Sequence, residues 1–171
     1  MVEMVVVVCI VGILLAAGVP SYRYVTTSNR VAAEINGLVG DLQFARAEAI
    51  KEGQTIGVCA SNDGSTCIGA GSTWTSGWIV FMDTNGNGVY DSGTDPAPIR
   101  VQRATTGDSM VADSSTTTVL FNREGFATGL PGAGLTIRVH EPTGNRGYTR
   151  CLAITIVGAM SMQKYGTGNC T

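Results

Sequence analysis

Glu3-Met4-Val-Val-Val-Val-Cys9-Ile-Val-Gly12-Ile-Leu-Leu-Ala-Ala-Gly18-Val19-Pro20 is the stretch whose reading decides the fold. Between Glu3 and Pro20 it carries no charge and no strongly polar side chain, so it is an apolar helix with an acid at its head. At ~1.5 Å rise per residue, Met4 to Val19 extends about 24 Å, close to the ~30 Å of a bilayer core. A cleavable signal peptide would begin with Lys or Arg and end in a small-x-small site. Here the leading charge is Glu3, and after Pro20 the chain continues directly into a helical pattern.

Burying a carboxylate in apolar surroundings costs roughly several kcal/mol unless it meets a cation. A free N-terminal amine on a neighbouring copy would meet Glu3 and fix the axial register between subunits. A helix-start carboxylate stabilised by the helix dipole at a membrane surface is the other reading. Pro20 lacks an N–H and crowds the carbonyl of Ala16, while Gly18 adds backbone freedom; the proline alone costs ~3 kcal/mol in a helix interior. This stretch is therefore expected to lose helical hydrogen bonding inside a filament.

From Ser21 to Glu52 the pattern turns amphipathic, with Val31, Ile35, Leu38, Leu42, Ala45 and Ala49 spaced alternately by four and three. Gly53 suits a C-cap, and Lys51 sits near the negative end of the helix. The stripe is rich in small residues and a strand-rich region follows, so a helix packed on a sheet is expected rather than a coiled-coil seam. After Gly53 short β-type runs alternate with turn clusters: 55–60, 77–82, 99–103, 117–122, 135–140 and 150–157, with 160–164 as an added edge strand. The organisation is an apolar assembly and membrane helix (residues 1–20), an amphipathic helix packed on the head (21–53), and a β-rich head (54–171). The fold class is α+β, a long N-terminal helix carrying an antiparallel head on its second half.

Only 14% of residues are charged and the net charge is −2, which leaves no broad basic field for nucleic acid. Cys9 lies in the apolar run and is expected to act as a small buried hydrophobe. Cys59, Cys67, Cys151 and Cys170 lie in the polar remainder, an even number without a CxxC pair, which fits two disulfides formed in an oxidising compartment. Three connectivities exist. Cys59–Cys67 with Cys151–Cys170 closes the shortest loops.

Asp83-Thr-Asn85-Gly-Asn87-Gly88-Val-Tyr-Asp91 offers oxygen ligands at alternate positions with a glycine at the sixth, as in the opening of a calcium loop; Asp91 or Asp95 would complete the shell. An Asn-Gly turn explains the same residues without metal. No other cofactor is called for. His140 is the sole histidine and reads as a surface residue, Trp74 and Trp78 read as packing, and no nucleophile elbow, P-loop or dinucleotide fingerprint is present. The chain is not expected to be an enzyme.

The N-terminus, Met1-Val2-Glu3 through Pro20-Ser-Tyr22, resembles that of type IV pilins and type II secretion pseudopilins, in which a glutamate precedes a proline by seventeen positions. The family's mature chain has four residues before that glutamate, so the natural start is expected two residues upstream. The words Phe44-Ala-Arg46-Ala-Glu48-Ala-Ile50-Lys51, Gly77-Trp78-Ile-Val-Phe81-Met-Asp83 and Phe121-Asn-Arg123-Glu-Gly125 are similar to the FimT/FimU-like minor pilins and H-type pseudopilins. Some FimT-like members carry a basic Gly-Arg-x-Arg stretch tied to DNA uptake. Gly158-Ala-Met-Ser-Met162 stands in its place here, without arginine. The resemblance implies a bacterial filament subunit that is held in the inner membrane, extracted by pilus assembly machinery, and polymerised with identical copies. It also implies an alternative, a low-copy minor pilin or pseudopilin that primes assembly or binds a ligand, DNA being one candidate, at the filament tip.

Overall fold

The computed structural model describes residues 2–69, 71, 73–103, 107–132 and 134–171; within the helix the side chains of Ala17, Pro20 and Ser21 lie outside the described set. Among the described residues, the α-helix α1 (Val2–Glu52) precedes nine strands: β1 (Thr55–Ala60), β2 (Gly77–Asp83), β3 (Arg100–Arg103), β4 (Ser109–Ala112), β5 (Thr118–Phe121), β6 (Ala127–Thr128), β7 (Gly134–His140), β8 (Arg150–Thr155) and β9 (Met160–Lys164). Helix α1 is one continuous element through Pro20. It ends where Gly53 adopts φ +66° and donates its N–H to Ala49 O at 3.0 Å, a left-handed cap that glycine alone takes without strain.

All described strand pairs are antiparallel and form two sheets, β3-β2-β1-β5-β6 and β4-β7-β8-β9. The second half of α1 packs on both sheets, chiefly on β1 and β5 of the first and on β7 and β8 of the second. The predicted stripe, Val31 through Ala49, is fully buried and meets Ile56, Val58, Val80, Val119 and Phe121 from one sheet and Leu135, Ile137, Val139, Leu152 and Ile154 from the other. This is the core of the head. The α+β architecture expected from the sequence is the one observed.

Strand β1 is buried on both faces. Its outer side chain Cys59 joins Ile79 and Phe81 in a smaller cluster, capped by Cys67, Tyr90 and Leu120. Gly57 is required there because a Cβ would run into the Phe81 ring. The two disulfides are Cys59–Cys67 and Cys151–Cys170, each with a Cα–Cα separation of 5.6 Å. The first ties the 61–71 loop over the outer face of β1. The second holds the C-terminal segment on the outer face of β8.

Two expectations differ from the structure. Strands β4 and β6 were not expected: β4 lies in the polar stretch 107–117, and β6 has two residues and exists through its pairing with β5. Cys9 is exposed rather than buried, because no described element packs on that part of α1. Among the described residues no helix is long and apolar enough to cross a membrane.

Candidate functional site: the N-terminal helix and its clamp to the head

Helix α1 divides into two halves by environment. From Met4 to Val19 the described side chains are apolar or glycine and exposed, with Ile13 and Leu14 roughly two-thirds accessible. From Val31 onward the apolar stripe is sealed against the head. Fully burying one Val, Leu or Ile is worth ~1.5–3 kcal/mol, so the first half is a long surface that gains from any apolar partner. Glu3 stands exposed in its first turn and Gly18 exposed near its end, with nothing within 4 Å of where a Cβ would sit on Gly18. The side chain of Pro20 lies outside the described residues.

Polar contacts of Arg46, Asp41 and Arg30 tie α1 to the head in addition to its apolar stripe. Arg46 donates Nε to Gly125 O at 2.8 Å and Nη2 to Val157 O at 3.1 Å, joining the helix to the β5–β6 turn of one sheet and the β8–β9 turn of the other. Gly125 and Gly158 have φ of +80° and +73°, and a Cβ on either would crowd Arg46. Asp41 accepts from Trp78 Nε1 at 2.8 Å and from Arg100 at 3.0 Å, while Arg100 lies 3.6 Å over the Phe44 ring. Arg30 meets the buried carboxylate of Asp108 with Nε at 3.0 Å and with Nη2. Sequence reading picked out Arg46 only as part of a family word. Its carbonyl partners lie about eighty and a hundred and ten residues away, and no local signal points to them.

Glu34 faces this last pair, and burial first, then the Asp108 charge, raises its carboxyl from the usual value to about 7, with Arg30 opposing. It lines a cleft of about 200 Å³ between α1, Trp74 and Trp78. Trp74 Nε1 donates to Thr116 O at 2.9 Å, so both tryptophans are packed and hydrogen-bonded in the head, as the packing reading expects.

The 83–95 loop closes on itself. Asp83 accepts the N–H groups of Gly86, Asn87 and Gly88, Asp91 accepts from the amides of Asn85 and Asn87, and Asp95 accepts from Thr84 N and Oγ1 and from Asp91 N. Burial works against the Asp95 charge, and the bonds from Asp91 and Thr84 hold its carboxyl below the usual range. The carboxylates thus face the loop's own donors rather than one centre. Among the described residues no group of three or more His, Cys, Asp or Glu is placed to hold a metal ion. These bonds are those of an Asn-Gly turn network.

The family model for type II transport protein GspH matches residues 34–158, well over half of the chain. The chain belongs to the GspH family. No curated protein matches this GspH-family chain at the sequence level. Among solved structures, it is similar to the type IV minor pilin FimU of Pseudomonas aeruginosa, at 23% identity and a TM-score of 0.56 over 79% of this chain and 91% of that one. It is also similar to the minor pseudopilin EpsH of the Vibrio cholerae type 2 secretion system, at 14% identity and a TM-score of 0.54 over 80% and 98%. At these identities the likeness is one of fold. The GspH match begins at Glu34, inside α1, so the exposed half of the helix rests on its own chemistry.

Proposed function

We propose that this GspH-family chain is a structural subunit of an extracellular type IV pilus-like filament, assembling with identical copies through the exposed apolar half of α1. The observation that supports this is the change of environment along one helix: the described side chains of residues 4–19 are apolar or glycine and exposed, while the stripe from Val31 is sealed in the head. Such a surface does not stay in water. Before assembly the lipid of the inner membrane covers it, and after extraction by the assembly machinery neighbouring helices cover it. Glu3 then sits in apolar surroundings and takes a neighbour's terminal amine as its cation.

The second reading is a low-copy minor pilin or pseudopilin that primes assembly or binds a ligand at the tip. It is favoured by the fold likeness to two proteins described as minor subunits.

The test is Glu3→Leu in cells. Membrane fractionation should show normal insertion, and sheared surface fractions should lose the filament. Filaments at wild-type yield would overturn the assembly role of Glu3. Immunogold labelling of native filaments separates the two readings, since a bulk subunit decorates the whole length and a priming subunit marks only tips.

A further inference from the structure

We infer that the outer face of the second sheet carries a small oxyanion-binding hollow, for a ligand presenting one carboxylate or phosphate group. Ile137 and Val139 on β7 point into the core, so Arg138 and His140 point to the opposite face. The Cys151–Cys170 disulfide holds the C-terminal segment over that face and brings Tyr165 and Thr171 to one side. The 3₁₀ turn Arg146–Tyr148 rises on the other side, set by Asn145 accepting the Gly147 N–H at 2.9 Å. Between these walls lies an open hollow of about 320 Å³, lined by Arg138, His140, Arg146, Thr149, Tyr165 and Thr171.

The charges on its lining side chains are of one sign. Two guanidiniums and the chain's only imidazole line it, and among the described residues no acidic side chain does. Glu141, the acid next in sequence to His140, is turned to its own turn and accepts from Thr143 N, Thr143 Oγ1 and Asn145 N. Arg150 is likewise engaged, with Gly147 O, Thr149 O and Ser28. Arg146 reaches across to stand 5.1 Å from the Tyr165 ring centroid.

Arg138 lines this hollow, and among the described residues its buried Nε finds no hydrogen-bond partner. A buried donor left unmade is costly, and a planar guanidinium fork matches a carboxylate or phosphate edge. His140 Nδ1 lies 3.1 Å from Glu141 O, which fixes the imidazole at the wall of the hollow, where it reports on what enters. An oxyanion entering the hollow satisfies Arg138, pairs with Arg146 and changes the surroundings of His140.

The experiment uses the full chain in nonionic detergent. As the sole histidine, His140 gives one pair of imidazole resonances, which can be followed by NMR at fixed pH and ionic strength during titration with inorganic phosphate and, separately, with acetate. The expected result is a saturable shift with at least one of the two anions and none with chloride. Arg138→Gln should weaken binding at least tenfold and Arg146→Gln several-fold. Arg138→Lys, which keeps the charge and loses the fork, should fall between wild type and Arg138→Gln. Arg123→Gln, whose parent side chain is exposed and paired with Glu124, should bind as wild type does, and all variants should keep the wild-type melting curve. Absence of a saturable shift with both anions, or an equal response in Arg138→Gln, would overturn the proposal.

Discussion

Removing the Arg46 guanidinium tests whether the clamp between helix and head is as described. Arg46 makes two charge-assisted bonds, to Gly125 O at 2.8 Å and Val157 O at 3.1 Å, and no other described residue donates to both turns. A hydrogen bond to a charged group contributes ~1.5–3 kcal/mol net, and the Val157 bond is exposed, so water recovers part of it. Arg46→Met keeps the aliphatic stem and should destabilise the head by about 2–3 kcal/mol. Arg46→Lys reaches one carbonyl at most and should cost about 1 kcal/mol less than Arg46→Met. Gly158→Ala attacks the same joint from the other side, since φ +73° and the crowding of Gly125 O and Arg46 both oppose a Cβ; it should cost at least about 1 kcal/mol. Equilibrium denaturation of the full chain in detergent measures the losses, and hydrogen exchange at 122–126 and 155–159 locates them. If Arg46→Met lies within about 0.5 kcal/mol of wild type, or is destabilised while both turns stay protected, the clamp reasoning fails.

In an assembled filament, α1 is expected to lose i to i−4 bonding around Ala16 to Pro20, because an extended stretch gains ~3.3 Å per residue against ~1.5 Å in a helix and the proline has already weakened it. A filament reconstruction with unbroken bonding from Val5 to Glu52, apart from the bond Pro20 cannot make, would refute this. The folded chain keeps a proton on Glu34 that the unfolded chain has released between pH 4.5 and about 7, so this contribution to stability is full below that window and is lost as pH rises through it. Melting temperatures between pH 4.5 and 8 should therefore fall less steeply in Glu34→Gln than in wild type, and parallel curves would show that Glu34 does not titrate as described. With Asp83, Asp91 and Asp95 already accepting N–H donors, calcium and chelator should give melting temperatures within about 1 °C of each other. A rise of several degrees with calcium, abolished in Asp91→Ala, would establish a metal site instead.

The sequence by itself determined the elements whose signals are local. The four-three spacing from Val31 to Ala49 places one apolar stripe on a helix whatever lies opposite, and Gly53 ends it by backbone sterics. Strands β1, β2, β7 and β8 were legible because each holds a run of β-type residues between turn clusters. The tertiary structure alone decided the rest. Strands β4 and β6 are too short to form without a paired neighbour, and Arg46, Asp41 and Arg30 find partners dozens of residues away that no window of sequence contains. The hollow on the second sheet has the same origin: Arg138, Arg146 and Tyr165 belong to three separate segments, and the Cys151–Cys170 bond together with the alternation of β7 brings them to one face. Local patterns specify which face of an element is apolar, but chain entropy hides which distant groups will meet until the core has closed.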